Sequence, residues 1–273
     1  MYNFKEVEKK WQEYWEKNNT FNDIITTRGV VMNKYIIGIL PSYYCENENP
    51  YSEYYKYNCI FARKLLEAGG VPVGMMFNGN KLDYKVLDLY DGFLITGGNK
   101  INDFVYEILY YAYENNKPVL GICMGAESID VFSLLLDSIE KNGGEVTRKK
   151  VETYYKTIKE KYGSTLRRLD PGNIHNNYII DGNIEATKHE ITIASNTIAS
   201  KIFPDKILVP SMHNYDFHAV GSHFKVSAKA SDGVSEIIEC VDPNKFIFGV
   251  HFHPELIKTE VFNYFIDRVK NSE

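Results

Sequence analysis

Nowhere in the chain do about 18 apolar residues run without interruption, the length a membrane-spanning helix needs, and the first residues are charged and helical in pattern rather than leader-like. No membrane partner is therefore expected. Cysteine is scarce: Cys45, Cys59, Cys123 and Cys240 are the only four, and no two of them show Cys-x-x-Cys spacing. That speaks against a disulfide framework and against structural zinc. Neither sign of charge dominates, with a net charge of −5, so no nucleic-acid or anionic-membrane footprint is expected. A cytoplasmic location is the default, and it suits a free thiol. What is present is ordinary. A hydrophobic content of 44% in 273 residues can bury the core of one large α/β domain, with or without an appendage.

Residues 2–17 place Phe4, Val7, Trp11, Tyr14 and Trp15 at helical spacing opposite a charged face. A polar linker follows, so residues 1–33 read as an amphipathic helix and linker, and 34–273 as the main domain. From Lys34 strand and helix alternate, which predicts a mostly parallel sheet with helices on both faces. Strands are expected at Tyr35–Leu40, Val71–Phe77, Gly92–Thr96 and Pro118–Ile122. Helices are expected at Tyr51–Ala68, closed by Gly69-Gly70, and at Asp103–Asn115 and Ala126–Lys141. The basic stretch 145–180 reads as a solvated helix face, with a lid over an anionic substrate as the alternative. From Glu185 the pattern turns β-rich, and a helix over Leu256–Val269 closes the chain.

Two segments carry chemistry. In Gly121-Ile122-Cys123-Met124-Gly125 a buried strand stops at a cysteine with a glycine two residues to either side, and a helical pattern begins at once. This is the pattern of a nucleophile elbow, a turn too tight for flanking side chains. A helix N-terminus beside Cys123 favours the thiolate, the nucleophilic form. The second segment is His253-Pro254-Glu255. Proline keeps the preceding residue extended, and side chains two apart on an extended run share a side. Glu255 is then placed to orient His253, which would serve Cys123 as base. Acyl transfer also needs donors for the developing oxyanion. The Met124 amide and the backbone of Thr96-Gly97-Gly98 are the candidates. The other cysteines lack glycine neighbours. Ser211 has no elbow, and His251, which alternates with His253 and should face away from it, is the runner-up for the base. His213, His218, His251 and His253 lack a metal-site spacing, so no metal is expected. These residues point to cysteine-dependent amide hydrolysis.

Gly121-Ile122-Cys123-Met124-Gly125, Thr96-Gly97-Gly98 and His253-Pro254-Glu255 together resemble the class I glutamine amidotransferase superfamily. The segments 68–72, 91–98, 211–213 and 225–236 are similar to its γ-glutamyl-γ-aminobutyrate hydrolase branch, the peptidase C26 family. Residues 1–22 resemble the opening helix of leucyl-tRNA synthetases. The superfamily resemblance implies a flavodoxin-like open sheet and a Cys123–His253–Glu255 triad. It implies an oxyanion hole from Met124 and Gly97 or Gly98, cleavage of a γ-glutamyl amide through a thioester on Cys123, and no cofactor. Three departures fall where specificity would lie: Glu127 for the family glutamine, Asn99 to Asp103 for an Asp-x-x-Pro stretch, and the segment from Pro210 to Tyr215. By this resemblance Glu127, Ser211 and His213 would contact the substrate, Glu127 favouring a cationic group. Two alternatives stay open. One is a glutaminase that feeds a separate synthetase, docked, like a homodimer, through the N-terminal helix. The other is a non-catalytic regulatory protein.

Overall fold

The computed structural model describes residues 35–45, 50–77, 84–98, 104–141, 166–176, 182–217 and 219–272. The N-terminal helix and linker, His218 and most of the basic stretch lie outside them.

Strand β1 (Tyr35–Leu40) enters the sheet as an almost wholly buried Ile-rich run, the signature of a strand covered on both faces. A hairpin of β2 (Ser42–Cys45) and β3 (Glu53–Lys56) follows, and then helix α1 (Cys59–Glu67), β4 (Gly70–Gly74), the short α2 (Tyr84–Leu87) and β5 (Gly92–Ile95). Next come α3 (Phe104–Glu114), β6 (Val119–Ile122) and α4 (Met124–Lys141). The remaining elements are β7 (Leu166–Arg168), β8 (Lys188–Ile193), α5 (Ala199–Ile202), β9 (Lys206–Pro210), β10 (Tyr215–Phe217), β11 (Phe224–Ala230), β12 (Ser235–Cys240), β13 (Ile247–Val250) and α6 (Val261–Lys270).

Nine strands form one sheet in the order β4-β1-β5-β6-β13-β12-β11-β8-β9. Pairing is parallel from β4 through β13 and antiparallel from β13 to β9. The β-rich C-terminal part is therefore a continuation of the parallel sheet. Period-two alternation splits the core in two. Phe93, Ile95 and Val119 pack with Ile108, Ile129 and Phe132 of α3 and α4 on one face. Leu94, Leu120 and Ile122 pack with Phe61, Leu65, Phe262 and Phe265 of α1 and α6 on the other. No helix among the described residues is long and apolar enough to cross a membrane.

One expected helix is shorter than its pattern suggested. Residues 51–56 form a 3-10 turn and strand β3, and α1 starts only after Asn58, whose side chain accepts from the Ile60 amide as an N-cap. The apolar positions of 51–58 are tyrosines that fit a strand as well as a helix. The closing helix likewise begins at Val261, because Pro254–Leu256 takes a 3-10 turn.

The first five strands, β4-β1-β5-β6-β13, have the order of a flavodoxin-like sheet, whose ligands bind beyond the strand C-termini where the order reverses. The C-terminal ends of β1, β5, β6 and β13 supply the site described next.

Candidate active site

Cys123 follows β6 directly and precedes α4, and its backbone is left-handed at φ 55°. A non-glycine residue held there stores about 1–3 kcal/mol of strain, which the surrounding structure must impose. The flanking glycines explain how. A Cβ on Gly121 would stand 2.7 Å from the Gly125 backbone, and one on Gly125 only 2.2 Å from the Ile95 carbonyl oxygen. Strand, elbow and helix thus meet at a separation that only hydrogen permits. Cys123 is only 8% exposed, yet it lines a cleft of about 560 Å³ with Thr96, Gly97, Gly98, His253 and Glu255.

The chain leaving β13 brings His253 to the same cleft. Its Nδ1 lies 2.7 Å from Glu255 Oε1, the neighbour relation expected from their spacing, although a 3-10 turn rather than an extended run produces it. A Cβ on Gly97 would lie 3.5 Å from His253 Cε1 and 3.7 Å from Cys123 Sγ, so ring and sulfur flank one glycine. Burial disfavours the imidazolium, but hydrogen bonding with Cys123 and Glu255 and their charges outweigh it, and the His253 pKa rises to about 10. Gly97 accepts a hydrogen bond from Ser42 Oγ, and Thr96 Oγ1 donates to the Leu40 carbonyl, which ties the β1 and β5 ends together. The Met124 amide belongs to the first turn of α4, where N–H groups lack intrahelical partners. A sulfur, an oriented imidazole and amides at a helix N-terminus are competent for attack on an acyl carbon.

The remaining sequence candidates sit behind the cleft wall. Glu127 is buried on α4, with Oε1 3.4 Å from His251 Nε2. Ser211 and His213 are buried as well, and Met212 between them reaches the cleft. His251 faces away from Cys123, and its Nδ1 lies 2.9 Å from the Ser235 carbonyl oxygen. It stacks on His213 at 4.0 Å. Burial and the neighbouring His251 push the His213 pKa down. His175, His213 and Glu236 form a group of metal-ligand types among the described residues.

Ser42, Lys56, Asn58 and Arg63 also line the cleft and were not legible as site residues. They come from the β2–β3 hairpin and the start of α1, a region the helical pattern disguised. Asn58 before an apolar periodic run was the available signal.

The chain is 26% identical over 261 residues to a glutamine amidotransferase-like protein of Rickettsia prowazekii, covering 82% of this chain and 92% of that one. It is 24% identical over 200 residues to the glutamine-hydrolyzing GMP synthase subunit from Picrophilus torridus, covering 70% and 83%. Among solved structures, the glutaminase domain of CTPS from Trypanosoma brucei with bound acivicin superposes with a TM-score of 0.59 at 16% identity, over 88% of this chain and 95% of that one. That likeness shows a shared fold. The Peptidase C26 family model matches residues 102–255, more than half of the chain and the whole span from α3 through Cys123, His253 and Glu255, and the chain belongs to that family.

Proposed function

We propose that the protein hydrolyses the γ-glutamyl amide bond of a small substrate through a thioester on Cys123. The observation that carries this reading is the convergence of Cys123, His253 and Glu255 at a strained elbow on one cleft. His253, held protonated beside the sulfur, stabilises the thiolate. The thiolate attacks the amide carbon, and the amides of Met124 and Gly97 or Gly98 receive the developing oxyanion. The leaving amine takes its proton from His253 as the C–N bond breaks. Water then gives a proton to His253 and attacks the thioester carbon, and the C–S bond breaks to release the γ-carboxyl group and restore the thiolate beside protonated His253. No step calls for a cofactor.

Lys56 and Arg63 at the cleft give it a cationic side suited to a substrate carboxylate. Glu127, turned to His251, supports a role in positioning that ring in place of substrate contact. We assign the reaction to residues 34–273 and regard residues 1–33 as an appendage. A reducing, cytoplasmic setting fits a reaction that needs a free thiol.

A second reading has a specific support: one relative is a glutamine-hydrolyzing synthase component. In that case the substrate is glutamine and the ammonia passes to a separate synthetase. A panel of γ-glutamyl amides including glutamine separates the two. Turnover by wild type and none by Cys123→Ala is expected, and inactivity of the wild type on every member, alone or with co-purifying proteins, would overturn both.

A further inference from the structure

Behind the cleft wall four buried histidines, His175, His189, His213 and His251, gather around Glu236 and Glu127. The catalytic reading uses none of them. The histidines come from the turn after β7, strand β8, the segment joining β9 to β10 and the end of β13, and Glu236 comes from β12. We propose that His175 Nδ1, His213 Nε2 and the Glu236 carboxylate bind one divalent first-row transition cation of the zinc type.

The donor set comes first. One ligand atom from each of the three residues lies within 4.8 Å of the others, and all three residues are buried. Two imidazoles and a carboxylate suit zinc and its neighbours better than calcium or magnesium, which prefer oxygen alone. Three protein ligands leave a fourth tetrahedral place to water.

The outer partners fix which ring atoms face inward. His213 Nδ1 lies 2.9 Å from the Tyr215 carbonyl oxygen. A carbonyl only accepts, so Nδ1 carries the hydrogen and Nε2 of the neutral ring presents a lone pair. His175 Nε2 lies 2.9 Å from Asp232 Oδ2, which draws the hydrogen to that side and leaves Nδ1 facing Glu236. His189 Nε2 lies 2.9 Å from Glu236 Oε1 and orients the carboxylate as donor. This is how ligating rings and carboxylates are held in metal sites.

The inward atoms are unsatisfied. His175 Nδ1, His213 Nε2 and Glu236 Oε2 are buried without a hydrogen-bond partner. His175 Nδ1 approaches Glu236 Oε1 to 2.8 Å but off the line a ring N–H would point, and His213 Nε2 stands 3.5 Å from the same oxygen. Ring nitrogens that carry no hydrogen repel a carboxylate oxygen this near, and burial makes that costly. A cation between them converts the repulsion into ligation.

The ion would act on the cleft through its wall. His213 donates its amide to the His175 carbonyl at 2.9 Å, and Asn176 pairs with Met212 in an isolated bridge. Binding would therefore staple the turn after β7 to the segment that presents Met212 to the active site. This role is structural, and it stands or falls apart from the hydrolase reading.

The test uses the full chain, stripped with a chelator and titrated with Zn²⁺ and with Co²⁺. One ion per chain by elemental analysis and calorimetry is expected, with visible ligand-field bands of four-coordinate Co²⁺. His213→Gln should lose about 100-fold or more in Zn²⁺ affinity, and the more peripheral Asp232→Asn about 10–100-fold. Cys59→Ser, which removes an exposed thiol, should bind as wild type. Absence of stoichiometric binding by the wild type would overturn the proposal, as would unchanged affinity in both His213→Gln and Asp232→Asn. The wild-type titration keeps the question decidable if His213→Gln fails to fold.

Discussion

His253 Nδ1 lies 2.7 Å from Glu255 Oε1, so the carboxylate fixes the orientation of the ring and, after Cys123, raises its pKa. Glu255→Gln keeps the shape but presents an amide that can donate to Nδ1. It should lower kcat by about 10²–10⁴-fold with little change in KM. Steady-state kinetics on the best γ-glutamyl amide checks this, and a loss within twofold would show that Glu255 does not orient the base.

The same contacts make stability depend on pH. The folded-state pKa of His253 is raised from 6.5 to about 10, so the native state holds its proton more tightly than the unfolded chain does. The resulting stabilisation, about 5 kcal/mol, is fully present below pH 6.5 and is lost as the pH rises through about 10. Urea unfolding between pH 6 and 10 should show this decline, and His253→Gln should flatten it. An equal slope in both proteins would contradict the assignment.

Asp130, wholly buried on α4, gives a second pH signature. Burial first, then the nearby charges of Asp216 and Glu127, raise its pKa to about 8. Its folded value exceeds the unfolded one, so its contribution is intact below pH 3.8 and disappears as the pH climbs through about 8. Asp130→Asn, which cannot ionise, should exceed the wild type by about 5 kcal/mol at pH 9 and match it near pH 4. Denaturation midpoints at the two pH values decide this. A variant less stable than wild type at pH 9 would refute it.

Gly97, Gly98, Cys123, His253 and Glu255, which line one cleft, were legible because their signals are local. The glycines around Cys123 and the Pro254 between His253 and Glu255 are short-range requirements that a sequence displays directly. The parallel half of the sheet was legible for a similar reason, since doubly covered strands such as β1 read as unbroken apolar runs. Lys56 was hidden because tyrosines at 51–57 satisfy a helix and a strand alike, and only cross-strand pairing with β2 decided between them; Arg63 lies on the helix its pattern predicted, and only tertiary structure brings it to the cleft. His175 and Glu236 were not singled out because no spacing rule joins them to His213, and only tertiary structure brings the three together.

If Lys56 and Arg63 bind the substrate carboxylate, truncating either to Ala should raise KM by about 3–30-fold and leave kcat nearly unchanged, as loss of uniform binding does. The effect should vanish on a substrate whose carboxylates are amidated. Equal KM values for wild type and both variants on the carboxylate substrate would remove the cationic side of the cleft from recognition.

The most direct test of the catalytic claim is rapid mixing with a γ-glutamyl amide, an acid quench, and peptide mass analysis. Wild type should carry a γ-glutamyl group on the Cys123 peptide within the first turnover, and Cys123→Ala should carry none and release no amine. Amine release by the wild type with no acyl group ever detected on Cys123, together with turnover by Cys123→Ala at the wild-type rate, would contradict the account.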